Sequence, residues 1–189
     1  MVIGIIGAGA TGMAAALAAA ENPDAQVILI ERQTRVGKKL SATGNGRCNL
    51  TNLHALEGGY HGEDASFAEP ALKAFDVNQT LEWFSRLGLY TVAEESGRVY
   101  PYSDQANSVV DILRFALEKP NIQLLTGCEV TKVKKQDGGF RIESTEETFF
   151  VDDVAAKIEG ALWCGMAGAV FYGDTNRLRK DLRAAGVDV

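Results

Sequence analysis

The chain has 189 residues, 46% of them hydrophobic, and a formal net charge of −6. That length bounds one domain, or one domain and a fragment, with enough apolar residues for a substantial core. The acidic balance, with no basic stripe to offset it, argues against general nucleic-acid binding, and no apolar run approaches the ~18 residues of a membrane span.

The N-terminus runs directly into an apolar stretch without a basic n-region, so no signal peptide is expected. Val2-Ile3-Gly4-Ile5-Ile6 reads as a buried first strand, and Gly7-Ala8-Gly9-Ala10-Thr11-Gly12 as the turn after it. The alanine-rich stretch Met13 to Ala20 reads as a helix. A second apolar run, Gln26 to Ile30, ends in Glu31, 19 residues past Gly12. Strand, glycine turn, helix, second strand and acid in this order form the βαβ fingerprint of a dinucleotide site. The first glycine permits the tight turn, the second lets backbone approach a pyrophosphate, and the third lets helix and strand pack closely. Ala10 and Thr11 open the helix, whose free N–H groups and dipole face the phosphates. Glu31 can accept hydrogen bonds from a ribose, and its charge would repel a 2′-phosphate. FAD and NAD share this fingerprint, and the bland alternative is a structural glycine turn.

Arg32 to Asn52 forms a long cationic loop with neither helical nor strand period, dense in hydroxyls, amides and glycines. A compact domain usually keeps such a loop for a ligand. Lys38, Lys39 and Arg47 can neutralise phosphate charge. Gly44 and Gly46 would let backbone N–H groups reach a ring or phosphate. A solvated basic loop is the competing reading.

Residues 53–70 lack period and read as a mobile surface segment. From Pro70 a short helix carries Leu72 and Phe75. Asp76-Val77-Asn78 is the break, and Asn78 is the expected cap of a second helix, Gln79 to Leu87. Its apolar residues are Leu81, Trp83, Phe84 and Leu87, and Gly88 is its stop. Leu89 to Val92 reads as a strand, Glu94 to Gly97 as a turn, and Arg98 to Tyr102 as extended chain. Ser103 or Asp104 is expected to cap a helix with Val109, Ile112, Leu113 and Leu117 on its apolar face. Strands are expected at Ile122 to Leu125 and Glu129 to Val133. A hairpin turn at Asp137-Gly138-Gly139 leads into Phe140 to Glu143, and a last strand runs from Thr148 to Val151. Together these predict an α/β fold, a Rossmann-like parallel sheet with a small antiparallel layer beside it.

Cys48, Cys128 and Cys164 are odd in number and widely spaced. They predict reduced thiols in a cytoplasmic protein and no zinc site, and two histidines, His54 and His61, are too few for a His-rich metal site.

The opening Gly4 to Ala15 resembles the FAD-binding two-dinucleotide-fold flavoproteins. Val36-Gly37-Lys38-Lys39-Leu40-Ser41-Ala42-Thr43-Gly44-Asn45-Gly46-Arg47-Cys48-Asn49-Leu50-Thr51-Asn52 is similar to the hallmark loop of the bacterial flavoproteins of the aminoacetone oxidase or 3-dehydro-bile-acid reductase type. Gly97-Arg98-Val99-Tyr100-Pro101 with Ser103-Asp104-Gln105-Ala106 is similar to a second hallmark of that family. The resemblance covers roughly residues 1–151. It implies FAD as cofactor, with Gly7, Gly9 and Gly12 along the pyrophosphate and Glu31, followed by Arg32, at the adenosine ribose. It implies Lys39 and the loop Ser41, Thr43, Gly44, Asn45, Gly46, Arg47, Cys48 and Asn49 on the flavin side, beside Lys38, and backbone at Val130 for the adenine. It also implies hydride transfer to or from a small-molecule substrate, with NAD(P)H as a candidate electron donor. No side chain is required as acid or base; Arg47, Asn49 and Tyr100 are candidates, with ordinary loop contacts as their alternative.

The family's chains are longer. After the antiparallel layer they have a strand ending in an Ala-Thr-Gly-Gly-like turn, where this chain has Asp152 to Gly160. Residues 152–189 therefore read as an atypical tail, one that can complete the sheet, with Asp174 capping a helix from Thr175 to Ala185, Gly186 stopping it and Val187 to Val189 beginning a strand. A truncated chain, a gene fragment or an altered reading frame is expected, with weak FAD binding and little turnover from these residues alone. The alternatives are a non-enzymatic nucleotide-binding fragment completed by a partner chain or a second copy, and an NAD-dependent dehydrogenase. The cationic loop disfavours the latter, because simple NAD domains turn from the ribose acid directly into a helix.

Overall fold

The computed structural model describes residues 1–57 and 65–152. The readings placed on residues 153–189, together with His61 and Cys164, lie outside the described residues.

Strand β1 (Val2–Ile6) leads through the glycine turn into helix α1 (Ala10–Ala19), and β2 (Gln26–Glu31) returns beside β1. β6 (Ile122–Thr126) pairs on the far side of β2, so the parallel sheet has the order β1-β2-β6. The continuous apolar run of β2 follows from burial on both faces. Val27 and Leu29 join a core with Met13, Ala16 and Leu17 of α1 and with Val109, Leu113 and Leu117 at and just beyond helix α4 (Ala106–Ala116). Ile30 packs on the opposite face with Ile142, Phe149 and Val151, and Ile28 lies against the same cluster.

That second face is the antiparallel layer expected from the sequence: β7 (Val130–Gln136), β8 (Gly139–Ser144) and β9 (Thr148–Asp152), in the order β7-β8-β9. It sits close because Gly4 has no side chain; a Cβ there would lie 2.8 Å from Ile142 Cδ1. Asp152 Oδ2 accepts the Val2 N–H at 2.8 Å, tying the layer to β1.

Between β2 and β6 the chain departs from expectation in five places. The loop read as aperiodic holds 3-10 turns over Leu40–Gly46, kinked at Thr43, Gly44 and Asn45, and a short strand β3 (Thr51–Asn52). In the segment read as mobile surface, Ala55 is buried and Ala65–Ala68 forms a further 3-10 turn before α2 (Glu69–Ala74). Helix α3 (Val77–Arg86) is capped by Asp76, not Asn78. Asp76 accepts from the Gln79 N–H at 2.8 Å while the Gln79 side chain accepts from the Asp76 N–H at 2.9 Å, a reciprocal capping box. Strand β4 (Thr91–Ala93) starts two residues later than the apolar run, because Leu89 turns into the core. β4 and β3 flank β5 (Arg98–Pro101) in a second antiparallel sheet. Finally, α4 has Gln105 at its N-cap with no side-chain capping bond; Asp104 is unsuited, being left-handed at φ 56 and bonded elsewhere. No helix among the described residues is long and apolar enough to cross a membrane.

Candidate functional site

The turn between β1 and α1 is held from below. Gly7, at φ 95, donates its N–H to the Ile30 carbonyl at 2.7 Å, and Gly37 donates to the Ala8 carbonyl at 2.8 Å. Above the turn the backbone is bare: a Cβ on Gly7 or Gly9 would meet nothing within 4 Å. Gly12 is the opposite case, because a Cβ there would fall 1.8 Å from the Gly7 carbonyl oxygen. Its absence lets α1 start directly against β1. Helix α1 has Gly9 at its N-cap, no side-chain cap and no acidic residue in its first turn. The Gly9 carbonyl accepts from the Met13 N–H at 3.0 Å, so the N–H groups of Ala10, Thr11 and Gly12 lie in the first turn, where a helix has no internal acceptor.

Glu31 stands at the end of β2, beside that turn. Its Oε2 accepts the Ala8 N–H and its Oε1 accepts the Gln33 N–H, both at 2.8 Å. Two backbone donors fix the carboxylate, and each oxygen keeps a further lone pair for a ligand hydroxyl. The chain after β6 is bound to the same place: Cys128 donates its N–H to the Glu31 carbonyl at 3.0 Å, and Gly127 to the Gln33 carbonyl at 2.8 Å. The result is a cavity of about 290 Å³ lined by Ile6, Gly7, Ile30, Glu31, Arg32, Cys128, Glu129 and Val130. The apolar Ile6, Ile30 and Val130 suit a base, and the Glu31 carboxylate can accept from a ribose diol.

Of the residues singled out in the sequence, Gly7, Glu31, Arg32 and Val130 meet in this cavity, and Gly9, Ala10, Thr11 and Gly12 lie at its adjoining helix end. The hallmark loop is more mixed. Lys38 and Lys39 are exposed, and among the described residues Lys38 Nζ reaches the Gln33 amide oxygen at 3.3 Å. The hydroxyls of Ser41 and Thr43 are turned back onto the carbonyls of Lys38 and Leu40, at 2.8 and 2.7 Å. Gly44 packs against the backbone of Asn49, whose nitrogen would lie 2.7 Å from an added Cβ, whereas Gly46 faces open space. Asn45 and Asn49 are exposed. Cys48 is buried, and that burial pushes its thiol above the ordinary range despite a hydrogen bond with Thr43. Arg47 is engaged by Glu94 and Asp104, so its charge is already paired within the protein.

Ile6, Ile30, Cys128 and Glu129 escaped the sequence reading as cavity residues. Cys128 and Glu129 directly precede Val130, so the signal was adjacent. Glu94 and Asp104 lie 47 and 57 residues from Arg47, and no local pattern reports such pairs.

Residues 1–169 match the family described as HI0933-like protein, Rossmann domain. Over 153 residues the chain is 46% identical to the 3-dehydro-bile acid delta(4,6)-reductase of Clostridium scindens, which covers 80% of this chain and 37% of that protein. Over 167 residues it is 29% identical to the ribosomal RNA dihydrouridine synthase of Escherichia coli, covering 88% of this chain and 41% of that protein. The chain thus spans about two-fifths of the length of these relatives. A solved structure, THI4 of Thermovibrio ammonificans, shares the fold with a TM-score of 0.52 at 12% identity, over 80% of this chain and 54% of that one.

Proposed function

The chain belongs to the HI0933-like Rossmann-domain family, and from that premise we propose that it is the FAD-binding part of a flavoprotein oxidoreductase. The observation that carries the reading is the bare glycine turn beside a carboxylate that two backbone N–H groups hold in place. Gly7, Gly9 and the first turn of α1 would receive the pyrophosphate. Glu31 would receive the adenosine ribose, and the cavity at Val130 the adenine. Lys38, Lys39 and the exposed Asn45, Gly46 and Asn49 would border the flavin half. FAD, when bound, supplies hydride-transfer chemistry at its ring. This chain's residues would bind and orient it, and the Glu31 carboxylate, held by two backbone N–H groups, would disfavour a 2′-phosphate on that ribose. On this reading residues 1–151 are the nucleotide unit of a cytoplasmic protein. A small-molecule substrate is supported by the higher identity to the bile-acid reductase than to the ribosomal RNA enzyme. NAD(P)H is a candidate electron donor.

A second reading is favoured by one observation. Among the described residues β1 has a neighbour on one side only, and Ile6 is 54% exposed at its end. An apolar edge strand invites a further strand. On this reading the chain binds nucleotide without turnover until another chain or copy completes the sheet.

The test is to denature purified protein and identify what it releases by absorbance and mass. FAD supports the reading, NAD replaces it with a dehydrogenase, and no nucleotide together with no binding of added FAD overturns it.

A further inference from the structure

Among the described residues, Asn45, Cys48 and Asp104 are the non-glycine positions with left-handed backbone, at φ 56, 60 and 56. All three converge on Arg47. Cys48 follows it directly in the chain, Asn45 precedes it by two residues, and Asp104 Oδ1 accepts from its Nε at 2.5 Å. Nη2 donates to Glu94 Oε1 at 2.8 Å, and the guanidinium carbon lies 3.9 Å over the Tyr100 ring. Strained backbone persists only where its surroundings over-determine it, and it gathers at ligand clamps. Here the surroundings are a planar cation held by two carboxylates and an aromatic face, drawn from the end of β4, from β5 and from the approach to α4. The two segments that resemble family hallmarks are thus joined through one side chain. Its charge is spent inside the protein, whereas among the described residues no carboxylate pairs with Lys38 or Lys39.

We propose that Arg47 is a positioning residue, a clamp that holds the loop from Thr43 to Asn49 in its strained shape for the cofactor, and that it does not itself meet phosphate. The purpose of the clamp rests on the FAD reading; the clamp itself belongs to the free chain. A lysine cannot replace it fully, because an ammonium lacks the planar fork that bridges two carboxylates and stacks on a ring.

Cys48 reports on the clamp and Cys128 on the fold, since both thiols are 2% exposed in different parts of the molecule. The experiment alkylates the full 189-residue chain with iodoacetamide, without cofactor, and reads each cysteine by mass spectrometry; FAD affinity is then measured on the same proteins. Arg47→Ala is expected to speed Cys48 alkylation several-fold, because local opening of the loop becomes easier. Cys128 should stay protected. Glu94→Gln with Asp104→Asn should reproduce the effect with Arg47 intact, and Arg47→Lys should restore part of the protection. FAD affinity should fall in step with Cys48 exposure. Loss of FAD binding in Arg47→Ala with Cys48 still protected would make Arg47 a direct ligand and overturn the proposal. So would wild-type behaviour of the Glu94→Gln, Asp104→Asn protein, or equal exposure of Cys48 and Cys128. If the wild type binds no FAD, the cofactor reading fails while the alkylation rates still decide the clamp.

Discussion

Gly9 and Gly12 share one turn and should answer the same added methyl group in opposite ways. Gly9 has φ −77 and ψ −173, which alanine tolerates, and open space above it. Gly9→Ala should therefore change folding stability by no more than ~0.5 kcal/mol while blocking the approach of a pyrophosphate. Gly12→Ala would put a Cβ 1.8 Å from a backbone oxygen that cannot move away, and thermal unfolding should show a loss of about 3 kcal/mol or more. Cys48 gives a pH prediction. Burial raises its folded pKa, so at alkaline pH the unfolded chain loses the thiol proton first. Stability contributed there should be complete below the unfolded thiol pKa and decline as pH rises toward the folded one. Urea unfolding of Cys48→Ala should show a shallower alkaline decline than the wild type.

At the scale of elements, α3 separates two nearby cap candidates. Asp76→Ala should cost about 1 kcal/mol by removing one half of the capping box, whereas Asn78→Ala, inside the helix, should stay within ~0.5 kcal/mol. Chemical denaturation of the two variants checks this. The βαβ unit was legible in the sequence because each of its parts has a short-range signature: an apolar run for a strand buried on both faces, glycines for the turn, an acid at the strand end. The hairpins of the antiparallel layer were legible for the same reason, through Asp137-Gly138-Gly139 and alternating apolar positions. The second sheet, β3-β5-β4, was not. Its strands span two to four residues, and β3 has no pattern of its own; it exists because Thr51 and Asn52 pair with Val99 and Arg98. The role of Arg47 was hidden likewise. Composition marks a cation in a loop as a phosphate ligand, and only the tertiary fold brings Glu94 and Asp104 to it.

At the scale of the molecule, the described residues bring the glycine turn, the end of β2 and the start of β7 together, and on the proposed reading these form the nucleotide end of a larger site. Among the described residues the parallel sheet reaches three strands, and β1 keeps one side without a strand neighbour. On the proposed reading, the flavin half is bordered among the described residues chiefly by an exposed loop, and exclusion of water is part of how such sites control reactivity. FAD binding by this chain should therefore be real, saturable and weak, with little turnover. The direct measurement is a fluorescence titration of FAD into the wild-type chain and into Gly9→Ala, each first shown to be folded. The account predicts weak one-to-one binding by the wild type and its loss in Gly9→Ala. Equal FAD binding by both proteins or no binding by either would contradict it, and tight near-stoichiometric flavin on the wild type as purified would contradict the weakness of binding alone.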